Sequence, residues 1–254
     1  MSAQVQSIPR TLVWFSCGVA SAVAGKLIAQ EARPNVEHVY CETGSEHPDN
    51  ERFLRAYEAW CGVTVRRLRS EKYADTWSLW EGERYLSGIN GAPCTRELKV
   101  RPRLRYERPD DIHVFGYTAD AADTARADAL REHYPELAVE TPLIDRGIKK
   151  EACLSIVSAA GIEIPALYRL GFPNNNCIPC VKATSPAYWA LVRRHFPEDF
   201  SRMAALSRDL GVKLCRINGE RRFIDEISDD QPIRDPIMPA CDFLCAITME
   251  DLSQ

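Results

Sequence analysis

Residues 11–15 read TLVWF and are followed at residues 16–21 by SCGVAS. A short apolar run of this kind predicts a buried strand, and the small residues after it predict a tight turn. A helical pattern follows from about residue 20 to residue 32, with apolar Val23, Ala24, Leu27 and Ile28 on one face. A turn that leads from a strand into a helix presents backbone N–H groups, which are suited to bind phosphate.

The same alternation continues along the chain. Apolar runs predict further strands at residues 38–41, 63–68, 111–115 and 138–144, and helical patterns lie at residues 49–61 and 149–160. We therefore expect an α/β fold with a Rossmann-like parallel five-stranded sheet flanked by helices. Residues 1–160 form the predicted nucleotide-binding domain. Residues 161–254 form a small helical, cysteine-containing region packed on it.

Composition limits the classes of function. The chain has 254 residues and a net charge of −4, which argues against a generally basic surface for nucleic acid. It has no apolar run long enough for a membrane span and no convincing signal peptide, so we expect a cytoplasmic protein without a membrane partner. In that compartment its ten cysteines favour ligands, nucleophiles or buried apolar groups over disulfides.

Small and polar residues follow three of the predicted strands. In a parallel sheet, ligands bind outside the carboxyl ends of the strands, so these turns predict one common site. The candidate nucleotide contacts are Ser16, Cys17, Gly18, Ser21, Glu42, Thr43, Gly44, Gly116 and Tyr117. Residues 73–93 have no regular pattern and predict a flap or a loop beside the substrate.

Four motifs resemble the phosphoadenosine-phosphosulfate (PAPS) reductase-like branch of the PP-loop, or adenine nucleotide alpha hydrolase-like, superfamily, of phage and bacterial type. Residues 16–21 resemble Ser-Gly-Gly-x-Asp-Ser, and residues 42–50 resemble Asp-Thr-Gly followed by Pro-Glu-Thr. Residues 94–102 resemble Cys-x₄-Lys-x₂-Pro, and residues 116–126 resemble Gly-x-Arg-x-Asp-Glu-Ser-x-x-Arg. Departures from the family pattern occur at Cys17, Ala20, Glu42 and Thr118.

The resemblance implies an adenine nucleotide, either ATP or PAPS or its relative APS, with Mg²⁺ as the usual metal. It also implies Cys94, Lys99, Asp120 and Arg126 as catalytic residues. The favoured function is an ATP-dependent adenylating enzyme in sulfur transfer or nucleotide modification, acting on a nucleic-acid base or a small molecule. One alternative is a sulfonucleotide reductase, although the Glu-Cys-Gly-x-His tail of assimilatory PAPS reductases is missing. The other alternative is a non-catalytic nucleotide-binding regulator, since Ala20 replaces the Asp of the motif. A homodimer is compatible with each of them.

Two close cysteine pairs predict a metal centre. The first pair is Cys177-x-x-Cys180 and the second is Cys241-x-x-x-Cys245. Four thiolates suit a tetrahedral Zn²⁺ or a [4Fe–4S] cluster, and the resemblance to sulfur-transfer proteins favours the cluster. The same resemblance offers a three-cysteine alternative, in which Cys94 joins Cys177 and Cys180.

Overall fold

The computed structural model describes residues 8–88 and 91–237. Its centre is a five-stranded sheet in the order β3-β2-β1-β4-β5, and all four neighbouring pairs are parallel. The strands are β1 (Thr11–Phe15), β2 (Val36–Cys41), β3 (Val65–Leu68), β4 (Ile112–Phe115) and β5 (Ala138–Glu140). The predicted α/β fold with a parallel five-stranded sheet flanked by helices is confirmed.

Helices connect and cover these strands. They are α1 (Val19–Gln30), α2 (Asp49–Cys61), α3 (Thr76–Glu83), α4 (Pro93–Thr95), α5 (Arg101–Tyr106), α6 (Ala121–His133), α7 (Pro142–Asp145), α8 (Lys150–Ala159), α9 (Ala166–Arg169), α10 (Pro186–His195) and α11 (Pro197–Asp209). A π-helical turn, Arg96–Val100, joins α4 to α5, and a 3₁₀ turn covers Ile224–Glu226. Among the described residues, no helix combines the length and apolar character that a membrane crossing requires.

Two predicted segments were wrong in part. The strand expected at residues 138–144 ends at Glu140, because Pro142 opens α7, where proline fits the first helical turn. The irregular segment expected at residues 73–93 contains α3. Asp75 caps this helix, since its side chain accepts the backbone N–H of Ser78 while the Ser78 hydroxyl accepts the backbone N–H of Asp75.

The described residues include two large apolar clusters. The first packs α1, α2 and α8 against one face of the sheet, and Phe15 stacks on Tyr57 there with ring centroids 4.0 Å apart. The second contains Trp80 of α3 together with Trp189 of α10 and Met203 of α11. Helix α3 therefore belongs to the same core as the C-terminal helices, although it lies in the first half of the chain.

A β-hairpin in the C-terminal region was not predicted. It joins β6 (Cys215–Ile217) to β7 (Glu220–Arg222) through Asn218 and Gly219, which have φ values of 49° and 85°. Asn-Gly between two short strands is a strong signal for a two-residue hairpin turn. The signal was present in the sequence, but strands of three residues are too short to show a period.

Gly116 follows β4 and touches the first turn of α1. A β-carbon on Gly116 would lie 2.6 Å from Cα and 2.7 Å from N of Ser21, which are backbone atoms that cannot swing aside. We therefore expect Gly116→Ala to lower the free energy of unfolding by about 1–3 kcal/mol, as overpacking does. Urea denaturation monitored by circular dichroism measures the change.

Gly82→Ala is the matched control. Gly82 lies in α3, and its β-carbon would stand 3.6 Å from a ring atom of Tyr73, which is an ordinary contact. Alanine is favoured over glycine in a helix by up to about 1 kcal/mol, so this variant should be as stable as the wild type or more stable. Equal stability of the two variants would contradict the packing assigned to Gly116.

Candidate functional site

A cavity of about 470 Å³ opens at the carboxyl ends of β1 and β4. The chain passes from β1 to β2 on one side and returns to β4 on the other, so the strand order reverses at this point. Such reversals leave a crevice where ligands bind in open α/β sheets. The cavity is lined by Trp14, Phe15, Ser16, Ser21, Tyr40, Cys41, Glu46, Asn50, Thr95, Lys99, Val100, Arg103, Phe115, Gly116, Tyr117, Arg126, Leu130, Asn175, Asn176 and Cys177.

The turn between β1 and α1 is closed by its own hydroxyl groups. The backbone N–H of Ser16 donates to the Ser21 hydroxyl at 3.0 Å, and the Ser16 and Ser21 hydroxyl oxygens are also 3.0 Å apart. The Ser21 hydroxyl in turn donates to the Gly18 carbonyl at 2.9 Å. Both serines line the cavity, as predicted, whereas Gly18 does not appear among its lining residues.

Cys17 occupies the sharpest position of this turn. Its φ is 56°, a left-handed value that glycine adopts without strain and that other residues seldom adopt. The Cys17 thiol is fully buried in the first apolar cluster, and burial raises its pKa to about 12. The Cys17 side chain therefore packs in the core, and only its backbone stands at the turn.

Residues of the loop after β2 line two different cavities. Thr43 lines a second cavity that adjoins the first one. The backbone N–H and the hydroxyl of Thr43 both donate to the Glu46 carboxylate, at 2.6 and 2.7 Å. Glu42 and Gly44 instead line a shallower cavity of about 200 Å³, and Glu42 forms an ion pair with Arg69 at 2.8 Å. The structure thus separates these two predicted contacts from the serines of the first turn.

The adjoining second cavity has a volume of about 510 Å³ and brings three cysteines to one wall. They are Cys94 from α4 and Cys177 and Cys180 from the loop before α10. Five residues line both cavities, namely Thr95, Lys99, Arg126, Asn176 and Cys177. The two cavities therefore meet at a boundary that carries two cations and a thiol.

Charge and burial oppose each other at this boundary. Burial, together with the neighbouring Cys177 and Cys180, raises the pKa of Cys94 to about 11, although Lys99 acts to lower it. Burial likewise raises the pKa of Cys177, whose Sγ lies 2.9 Å from the Thr43 hydroxyl oxygen. Burial acts to lower the pKa of Lys99, but the surrounding acidic groups, led by Cys177 and Glu46, outweigh it and the net shift is upward. Lys99 is therefore a cation beside two thiols, Cys94 and Cys177, whose ionisation is opposed by burial.

The other two predicted catalytic residues lie in different environments. Arg126 of α6 lines both cavities and pairs with Asp123. Asp120 lines neither cavity. Its carboxylate accepts the Thr118 hydroxyl at 3.0 Å and the Lys150 backbone N–H at 3.1 Å, which places a negative charge at the N-terminus of α8. This geometry suits an anchor between two segments of chain.

Asn175 is a site residue that sequence reasoning missed. Its Nδ2 donates to the Cys17 carbonyl at 2.7 Å and to Oδ1 of Asn50 at 2.8 Å, and all of these groups are buried. Asn175 lies at the edge of the first cavity and fixes the loop that carries Cys177. The sequence shows only a run of three asparagines at residues 174–176. A sequence pattern does not tell which of three adjacent amides is buried, so Asn175 could not be singled out.

Asn175→Ala should lower the free energy of unfolding by about 1–3 kcal/mol, because it leaves two buried acceptors without a donor. Asn175→Asp should cost more, since a carboxylate would set oxygen atoms against the carbonyl of Cys17. The control is Asn174→Ala, at an exposed position whose side chain accepts only from Lys150, with an expected change within about 0.5 kcal/mol. Urea midpoints measure all three variants, and an Asn175→Asp protein as stable as the wild type would contradict the assigned hydrogen bonds.

Comparison with known proteins gives a likeness in structure only. No protein-family model matches the sequence, and no curated protein matches it. The chain is similar to the crystal structure of phosphoadenylyl-sulfate (PAPS) reductase from Candida auris in its phosphate complex, with a TM-score of 0.51. That likeness covers 69% of this chain and 84% of the other chain at 13% sequence identity. The chain therefore has the fold of a PAPS reductase.

Proposed function

We propose that the protein is an adenine-nucleotide-dependent enzyme that adenylates a second substrate and supports sulfur transfer to it. The observation that carries this proposal is the boundary of the two cavities, where Lys99 and Arg126 stand between a nucleotide-sized space and three thiols. Two cations at such a point suit the phosphates of a nucleotide. The fold is shared with a PAPS reductase that was crystallised as a phosphate complex, which agrees with a proposal that the protein binds a phosphate-bearing ligand.

The first cavity is lined by both aromatic rings and cations, and the Arg126 guanidinium lies 5.7 Å from the centroid of the Tyr117 ring. Aromatic rings of Trp14, Phe115 and Tyr117 supply apolar surface for a base, and the Trp14 and Phe115 rings are stacked with centroids 6.4 Å apart. Lys99 and Arg126 supply charge at the side that faces the second cavity. A nucleotide with its base on the rings and its phosphates at the cations would place the α-phosphate near the boundary.

The proposed reaction then needs positioning and charge stabilisation from the chain. A nucleophilic atom of the acceptor attacks the α-phosphorus of ATP, the bond to the bridging oxygen breaks, and pyrophosphate leaves. A sulfur nucleophile next displaces AMP from the adenylated acceptor. Lys99 and Arg126 would stabilise the negative charge that develops on the phosphate oxygens during both steps.

The sulfonucleotide reductase alternative, with Cys94 as its nucleophile, would require the Cys94 thiol to be ionised by a bound ligand or metal. A thiol attacks as its thiolate, and a pKa of about 11 leaves Cys94 almost wholly protonated at neutral pH. Product analysis separates the alternatives. The adenylating enzyme converts ATP to AMP and pyrophosphate in the presence of acceptor, a reductase converts PAPS to sulfite with a thiol donor, and a regulator binds nucleotide without turnover.

Arg126→Gln should weaken nucleotide binding by about 10–100-fold, which corresponds to the loss of one charged hydrogen bond. Isothermal calorimetry with ATP, PAPS and APS measures the change. Arg131→Gln is the control on the same helix, since Arg131 reaches Asp128 and Thr141 and lines neither cavity. Unchanged affinity in a folded Arg126→Gln protein would show that the phosphates bind elsewhere.

We further propose that the second cavity holds the predicted metal centre. Three thiols line it, with Lys99 and Lys182 available to balance their charge once they ionise. Within the described ranges, no three potential ligands already stand at metal-binding spacing, so metal binding would have to draw the thiols together. A [4Fe–4S] cluster held by three cysteines would supply an iron open to sulfur, and zinc would supply a redox-inert thiolate site.

Cys241 and Cys245 lie outside the described residues. The four-cysteine set that includes them and the three-cysteine set with Cys94 therefore both stay open as proposals.

Anaerobically purified protein should therefore contain stoichiometric iron or zinc, and Cys177→Ser or Cys180→Ser should abolish it, because ligand thiolates cannot be replaced by hydroxyls without loss of affinity. Elemental analysis gives the readout without any assay of activity. Cys61→Ser at the end of α2 is the control and should retain the metal. Loss of the metal in Cys94→Ser, with the metal retained in Cys241→Ser and Cys245→Ser, would indicate the three-cysteine site. A wild-type protein that contains neither iron nor zinc would overturn the proposal.

A further inference from the structure

The C-terminal hairpin sets two arginines side by side. Arg216 on β6 pairs directly with Arg221 on β7 in the antiparallel register. Directly opposed residues share one face of a hairpin, with β-carbons about 4.5–5.5 Å apart, and like charges in this position are destabilising. Both residues are exposed, so this face of the hairpin presents a doubled positive charge to solvent.

No carboxylate of the described chain balances this pair. Arg221 donates only to the Leu214 carbonyl, at 3.3 Å, and the Arg216 guanidinium has no ion pair or hydrogen bond among the described residues. Two neighbouring arginines are paired instead. Arg222, on the opposite face of the hairpin, contacts Glu220 at 2.5 Å, and Arg208 contacts Asp225 at 2.6 Å. Within the hairpin, the unbalanced charge thus lies on one face.

The hairpin is joined to the rim of the second cavity. The Arg216 backbone N–H donates to the Thr184 carbonyl at 2.8 Å, and the Cys215 thiol also donates to that oxygen, at 3.6 Å. Thr184 and Lys182 both line the cavity, and Lys182 is exposed and has no ion pair among the described residues. Three exposed cations, Arg216, Arg221 and Lys182, therefore lie on two segments of chain that are hydrogen-bonded to each other, and one of these segments lines the cavity.

We propose that the surface formed by Arg216, Arg221 and Lys182 binds the phosphodiester backbone of a nucleic acid strand whose nucleotide enters the second cavity. The proposal deepens the proposed function by naming the class of second substrate, and it rests on that function only in treating the second cavity as the acceptor site. A phosphate between Arg216 and Arg221 accepts charge-assisted hydrogen bonds from both guanidinium groups and relieves their repulsion.

A strand suits this surface better than a free anion. The cations extend from the hairpin to the cavity rim, which matches a chain of phosphates rather than a single one. The net charge of −4 means that such binding would be local to this face and not a general property of the surface. Three thiols and Lys99 lie at the inner end of the path, where a nucleotide would meet the sulfur chemistry.

The test measures binding of labelled single-stranded RNA, single-stranded DNA and duplex DNA of equal length by fluorescence anisotropy over a series of salt concentrations. We expect the wild type to bind a single strand. The strand that binds more tightly, single-stranded RNA or single-stranded DNA, indicates which nucleic acid supplies the phosphates. The double variant Arg216→Gln with Arg221→Gln removes two phosphate contacts, so the slope of log affinity against log salt should shrink by about 1.4 for a single strand.

Arg222→Gln is the control, because it removes one positive charge from the opposite face of the same hairpin and should leave the slope unchanged, whereas Arg216→Gln or Arg221→Gln alone should each lower it by about 0.7. Circular dichroism establishes that the variants fold. The proposal is overturned if the wild type binds none of the three nucleic acids, if the double variant keeps the wild-type slope, or if Arg222→Gln loses as much. Calorimetry with ATP on the same proteins tests the proposed function separately, because ATP binding does not involve the hairpin arginines. A wild-type protein that binds no ATP would therefore count against the proposed function alone.

Discussion

The site depends on one buried amide. Asn175 gives both hydrogens of its Nδ2, one to the carbonyl of Cys17 and one to Asn50, and so ties together three segments that are distant in sequence. These are the turn after β1, the start of α2 and the loop that carries Cys177. Unpaired polar groups are costly in the protein interior, so each segment is held to the others by the need to satisfy the same donor. The shared wall of the two cavities follows from this arrangement.

The turn after β1 illustrates how a departure from a motif can keep its geometry. Position 17 has a left-handed φ, which explains why glycine is the expected residue in the pattern that the sequence resembles. Here the strain of a cysteine at that position is opposed by burial of its thiol in the core and by the hydrogen bond from Asn175 to its carbonyl. The left-handed backbone conformation of the turn is retained, while the Cys17 side chain packs in the core.

The sequence was sufficient to predict the sheet, because its central strand β1 is buried throughout and shows as an apolar run, and the strands alternate with helical periods. It was also sufficient to predict that Ser16, Ser21, Gly116 and Tyr117 would lie at one cavity, since all of them follow β1 or β4. The sequence could not show that Glu42 and Thr43 line different cavities, because neighbouring residues of a loop can face opposite sides. Asn175 and the pairing of Arg216 with Arg221 were equally out of reach, since they depend on how loops and short strands pack in three dimensions.

The distribution of charge links the two cavities to the hairpin. Thiols buried beside one another resist ionisation, and each additional thiolate makes the next one harder to form. Lys99 acts against this at the boundary, and its own charge is secured by the same groups that it stabilises. A metal bound by the cysteines would displace their protons and neutralise most of the resulting thiolate charge, so that Lys99 and Arg126 would still be available to phosphate. The cations at this boundary would then serve the nucleotide, while those of Lys182 and the hairpin stay directed toward whatever anion approaches from solvent.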